Sequence, residues 1–154
     1  MGRAAEEGVA PERSPGKAYA AGTDRMKLLV PILAVGAGGC VGSILRFMLS
    51  LLAQRWSISF PHGTLWANLL GCLAIGAIAT LASATETLSP TMRLLLATGV
   101  CGGFTTMSSF MYELMQLIRE SEYYVAAGYL GLTLAGCALM FVLGSLAVKA
   151  MVKT

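Results

Sequence analysis

Four long apolar stretches joined by short polar links constrain this chain more than any other feature. They run from about Leu28 to Ala53, Thr64 to Leu81, Met92 to Ile118 and Tyr123 to Val148. Each has roughly the 20 residues a helix needs to cross the hydrocarbon core of a bilayer. In lipid every backbone N–H and C=O must find a partner within the protein, which leaves helices or closed barrels. The stretches exceed the roughly ten residues of a barrel strand and do not alternate, so a barrel is excluded. The links Gln54 to Gly63, Ala82 to Thr91 and Arg119 to Glu122 are short, which makes neighbouring helices antiparallel. The expected fold is an all-α membrane protein with four transmembrane helices. One copy makes a thin wall for any pore, so geometry favours an oligomer.

Composition agrees: the chain is 56% hydrophobic and only 12% charged, against about 25% charged in an ordinary soluble domain. Its net charge of +3 is small and carried at segment ends, as membrane-flanking charges are, which argues against a nucleic-acid partner. Residues 1–25 are polar and rich in Ala, Gly, Glu and Pro, and are expected to form a disordered tail or an upstream extension. Residues 26–154 form the expected membrane domain, for which Met26-Lys27 is a natural start. The tail lacks the apolar run of a signal peptide. Arg25, Lys27, Arg93, Lys149 and Lys153 fall on the side of the termini, with Arg3, Arg13 and Lys17 of the tail. Arg55 and Arg119 fall on the other, with Arg46 near that end, so the positive-inside rule places both termini in the cytoplasm. Cys40, Cys72, Cys101 and Cys137 lie one to a span and read as small packing residues.

The third span is interrupted by Gly102-Gly103-Phe104-Thr105-Thr106-Met107-Ser108-Ser109-Phe110. Paired glycines weaken a helix, and the hydroxyls that follow suit a lipid-facing surface poorly. Backbone at membrane depth leaves the helix only where protein or a watery cavity covers it. The span is therefore expected to bend at Gly102-Gly103 and to seat an ion or solute. Glu113 shares a helix face with Ser109 and Thr106, and Phe110 shares one with Thr106 and Met107. Asn68 lies about a turn inside the second span, where an unpaired amide costs a few kcal/mol. It serves either as glue to a neighbouring helix or as a donor to something that passes. Gly38 and Gly42 form a GxxxG pair for close packing, and Arg46 lies one turn beyond. Arg46 either faces a cavity or partner or snorkels to the interface, and the residues leave both open. Tyr129 and Thr133 lie four apart on the fourth span, Trp66 fits an interfacial position, and the lone His62 falls in a loop without a catalytic role. No nucleophile–base pair, metal-ligand cluster, Walker loop or dinucleotide fingerprint is present, so an enzyme lacks its minimum parts.

These motifs together resemble the Fluc or CrcB fluoride channels over about Met26 to Val148. Gly38-Gly39-x-x-Gly42-x-x-x-Arg46 looks like the family's first-helix signature, and Gly63-Thr64-Leu65-x-x-Asn68-x-x-Gly71 its second. The stretch from Gly102 to Phe110, with Glu113 beyond, looks like its broken third helix and aromatic box. The resemblance implies an antiparallel, dual-topology dimer with two pores that passively exports fluoride across the bacterial inner membrane. It implies that Asn68 donates hydrogen bonds to fluoride and that Phe110 is one ring of the box, with Met107 at the position of the other. Ser108, Ser109, Thr133 and Tyr129 would line the path, and Arg46 would draw anions into a vestibule. Gly102 and Thr105 would offer backbone carbonyls to a structural sodium ion at the dimer centre.

Elementary chemistry fits those roles. Fluoride is small and tightly hydrated, so a pore must replace strong hydrogen bonds with amide and hydroxyl donors. Aromatic rings help only through their positive edges. Met107 stands where the family has phenylalanine and offers no ring edge. The positive-inside bias sets a paired homologue, inserted the other way up, beside the homodimer as a possible partner. A small multidrug-type exporter, another four-helix class, needs a carboxylate early in its first helix, whereas the buried carboxylate here is Glu113. A membrane scaffold using its glycines only for packing is the third alternative.

Overall fold

The structure, a computed structural model, describes residues 15–54, 60–85 and 87–152. Helix α1 spans Pro15–Gln54, α2 His62–Ala84 and α6 Tyr123–Val152. Between α2 and α6 lie α3, Pro90–Arg93, a π-helical stretch Leu94–Cys101, α4, Gly102–Phe104, and α5, Met107–Arg119. Four segments are long and apolar enough to cross a membrane: Lys27–Ala53, His62–Ala84, Pro90–Arg119 and Tyr123–Val152. The protein is a multi-pass membrane protein whose regular elements among the described residues are all helices.

Helix α1 starts well before the apolar stretch, so the backbone of residues 15–25, assigned to the tail, continues it. The tail expectation for residues 1–14 lies outside the described residues, as does the flanking Arg55. Pro31 sits within α1.

The helices pack in two intimate pairs, α2 with α6 and α1 with the third segment. Both seams are made by glycines. A Cβ on Gly42 would strike the Val100 carbonyl, one on Gly38 the Leu95 carbonyl, and one on Gly103 the Gly39 carbonyl. On the other seam, Gly76 abuts the Phe141 carbonyl and Gly144 the Leu73 carbonyl. Bare backbone against backbone lets helices approach closely where lipid supplies no hydrophobic drive between them. Helix α2 is the central element and carries the largest buried share of the four spans.

The third segment departs from helix at a place the glycine pair did not indicate. Gly102 is helical, with φ −64 and ψ −37. The extended residues are Thr105, at φ −81 and ψ 153, and Thr106, at φ −151 and ψ 118. Threonine is β-branched and accepts extended backbone readily, and Thr106 also caps α5 by accepting from the Ser109 N–H. Gly103 is needed for the close approach to α1 instead.

A tight turn joins α5 to α6. Ser121 adopts a left-handed φ of 64, while the Glu122 N–H bonds the Leu117 carbonyl at 2.9 Å and the Ser121 N–H the Ile118 carbonyl at 3.1 Å. This is a Schellman closure with serine in the place glycine usually takes.

Candidate functional site

Polar side chains from three helices meet where α2, α5 and α6 pack around the extended threonines. Asn68 reaches out from α2. Its Oδ1 accepts the Thr106 N–H at 2.8 Å, and its Nδ2 donates to the Thr106 carbonyl at 3.2 Å. An extended residue inside a membrane segment leaves both its backbone groups without helical partners, and one carboxamide satisfies both. Asn68 is thus glue to a neighbouring segment, yet an amide carries two N–H groups and this bond uses one.

Threonine 106 also serves the hydroxyls behind it. Its Oγ1 accepts the Ser109 N–H at 3.2 Å, donates to Ser109 Oγ at 3.2 Å and lies 3.1 Å from Ser108 Oγ. Ser108 is exposed and Ser109 half-buried.

One helical turn before Asn68 on α2, the buried Thr64 donates to Glu113 Oε1 at 2.6 Å. From α6, Tyr129 donates to Glu113 Oε2 at 2.7 Å. Both carboxylate oxygens of Glu113 therefore hold a hydroxyl donor. Tyr129 is 0% exposed and packs on Phe110, itself 1% exposed, with ring centroids 4.9 Å apart. Phe60 meets Tyr129 edge-on at 5.5 Å, and His62 lies tilted against Phe60 at 4.7 Å. Thr133, a turn beyond Tyr129, is 5% exposed, and its Oγ1 has no hydrogen-bond partner among the described residues.

Not every residue expected at the site comes together. Met107 is 64% exposed on the outer face of α5, away from the buried Phe110. The two positions expected to form an aromatic box therefore diverge within one chain. Arg46 does not extend freely to the interface: it is half-buried, and its Nε donates to the Gly103 carbonyl at 3.2 Å. Ser43 Oγ approaches the same carbonyl at 3.5 Å.

The backbone around the extended pair divides into occupied and open carbonyls. The Cys101 carbonyl accepts from the Thr105 N–H at 2.9 Å and the Thr105 hydroxyl at 3.0 Å. Gly103 is taken by Arg46 and Thr106 by Asn68. The N–H groups that would close on the Gly102 and Thr105 carbonyls in a helix, those of Thr106 and Ser109, go instead to side-chain oxygens. No group of three His, Cys, Asp or Glu side chains gathers among the described residues, and the four cysteines are free.

The sequence profile of the family described as "CrcB-like protein, Camphor Resistance (CrcB)" matches residues 33–145. The chain belongs to this family. Among its CrcB-like relatives, the "Fluoride-specific ion channel FluC" of Chlorobium phaeobacteroides (strain BS1) is 50% identical over 99 residues, covering 64% of this chain and 77% of the relative. The protein of the same name from Prosthecochloris aestuarii is 42% identical over 113 residues, 73% of this chain and 88% of the relative. That of Sorangium cellulosum is 42% identical over 119 residues, 77% and 94% respectively. All the polar and aromatic residues described above, from Arg46 to Thr133, fall inside the matched CrcB-like region.

The roles of Thr64 and Thr106 as partners are hard to read from the sequence. Thr64 reads as an ordinary helix-start threonine, and Thr106 as one of four similar hydroxyls. The signal for Thr64 was Glu113 itself, because a carboxylate within an apolar span requires donors from a facing helix.

Proposed function

We propose that this protein is a fluoride-selective channel that passively carries fluoride out of the cell across a bacterial inner membrane. Membership in a family whose relatives bear that name carries the reading. The line of donors on α2, α5 and α6 supports it. Asn68 keeps a spare N–H, and Ser108, Ser109 and Thr133 add hydroxyls on α5 and α6, while Tyr129, its own O–H given to Glu113, backs the path as a packed ring. Such groups replace the hydration of a small hard anion, while Phe110 offers a ring edge. Arg46, anchored beside the extended pair, adds positive charge near the entrance.

The functional unit is an antiparallel, dual-topology dimer with two pores. Met107, exposed on α5 while Phe110 is buried, is available to meet a second copy there. The extended pair Thr105-Thr106 is the helix break of the fluoride pore. Its open carbonyls fit a hard monovalent cation such as sodium, held by Gly102 and Thr105 of the two copies. When bound, that cation offsets the cost of bringing an anion into a medium of low dielectric. The first partner is a second copy of this chain. A homologue inserted the opposite way is the second, favoured by methionine at position 107 and by the bias of basic residues toward the termini.

Proton-coupled drug export is disfavoured because both oxygens of Glu113 are engaged by Thr64 and Tyr129. Purified protein in fluoride-loaded liposomes with a potassium/valinomycin shunt tests the reading. Rapid release of fluoride with retention of chloride supports a homomeric channel. Silence alone, with release after a paired homologue is added, supports the second partner. Silence in both preparations overturns the channel reading.

A further inference from the structure

Helical backbone closes each carbonyl on the N–H four residues ahead. Gly102 should receive the Thr106 N–H, and Thr105 the Ser109 N–H. Neither does so here. The Thr106 N–H goes to Asn68 Oδ1 at 2.8 Å, and the Ser109 N–H goes to Thr106 Oγ1 at 3.2 Å. Two side-chain oxygens thus intercept the two donors that would otherwise occupy those carbonyls. The neighbouring carbonyls of Cys101, Gly103 and Thr106 are each filled by a donor from elsewhere in the chain.

We propose that Asn68 and Thr106 are positioning residues for a cation site: by capturing the Thr106 and Ser109 N–H groups they hold the Gly102 and Thr105 carbonyls open for a hard monovalent cation. This rests on the channel reading above and assigns a new task to two side chains within it. Asn68 has a double duty, since one face of its amide fixes the cation-binding backbone and the other N–H remains for an anion. Thr106 needs only its hydroxyl, not its methyl group. Arg46 sharpens the choice by filling the Gly103 carbonyl, which removes the competing oxygen between the two ligands. The proposal separates the extended backbone itself, which β-branching favours, from the freeing of its oxygens, which requires acceptors on side chains.

The test is a sodium titration of thermal unfolding in detergent, with N-methylglucamine replacing sodium at constant ionic strength. A ligand that binds only the native state raises the midpoint with its concentration, and the half-saturating concentration reports affinity. Thr106→Val removes the hydroxyl and keeps the shape, Thr106→Ser keeps the hydroxyl, and Asn68→Leu removes the amide. Thr106→Val and Asn68→Leu should each raise the half-saturating sodium concentration by about tenfold, the size of one lost positioning hydrogen bond. Thr106→Ser should stay within about twofold of the wild type. If Asn68→Leu does not fold, the Thr106 pair decides alone. A wild-type protein whose stability ignores sodium removes the cation site and this proposal with it. A responsive wild type matched by an equally responsive Thr106→Val leaves the cation site standing and overturns the positioning role.

Discussion

Tyr129 donates its hydroxyl to Glu113 at 2.7 Å from a position in which the tyrosine has no exposed surface. The bond joins α6 to α5 at the depth where Phe110 packs on the same ring. A hydroxyl buried in a membrane helix and a carboxylate facing it are each costly alone, and each answers the other. Tyr129→Phe removes the donor and leaves Glu113 Oε2 without one. It should lower stability by about 1–3 kcal/mol, read as a fall in the detergent unfolding midpoint. An unchanged midpoint means water replaces the hydroxyl at no cost.

Asn68→Asp keeps an acceptor for the Thr106 N–H but loses both N–H donors. Fluoride release from liposomes should fall by about tenfold or more, the effect of one hydrogen bond to a charged ion. Release at the wild-type rate would remove Asn68 from the anion's path.

Methionine 107 supplies no ring edge. Met107→Phe should raise fluoride release by about two- to tenfold, the rate equivalent of about 0.5–1.4 kcal/mol. Because the side chain is 64% exposed, the change should cost little packing within the chain. A drop in release, measured on the same liposomes, would show that methionine is fitted to its partner surface.

The seam between α1 and the third segment tolerates no side chain. Gly42→Ala should destabilise the protein by about 1–3 kcal/mol, the range for overpacking, because its methyl would meet the Val100 carbonyl. Gly36→Ala, with nothing within 4 Å of its added carbon, is the control on the same helix and should hold its unfolding midpoint. Equal midpoints for the two variants would mean that the helices slide apart freely.

Ser121 occupies a left-handed position at φ 64 that disfavours any residue with a Cβ. Ser121→Gly should stabilise the turn by about 1 kcal/mol, visible as a higher unfolding midpoint with unchanged fluoride release. A lower midpoint would show that the flexibility gained by the unfolded chain outweighs the relief.

Much of the architecture was legible from hydropathy, because lipid leaves a chain few options: spans, short links and antiparallel neighbours followed directly. The location of the irregular backbone was less so. Paired glycines point to a weak helix, but Gly103 is committed to contact with Gly39, and the departure passes to the threonines beyond. That outcome depends on which face meets α1, which no local rule contains. Arg46 left two readings open for the same reason, and the Gly103 carbonyl that holds it lies 57 residues away. The divergence of Met107 and Phe110 was equally hidden. Three residues apart they share one side of a helix, yet only the fold decides that one turns inward and the other outward.

The π-helical stretch Leu94–Cys101 carries a further consequence for everything after it. Its wide turns shift the angular phase of the segment relative to an α-helix. Rewinding the same residues to the ordinary pitch, with none removed, would swing the downstream chain by about 100°. Thr106 would then rotate away from Asn68, and Glu113 from Thr64 and Tyr129. The dial that aims the polar half of the molecule thus sits a turn or more upstream, in a stretch made almost wholly of aliphatic and small residues.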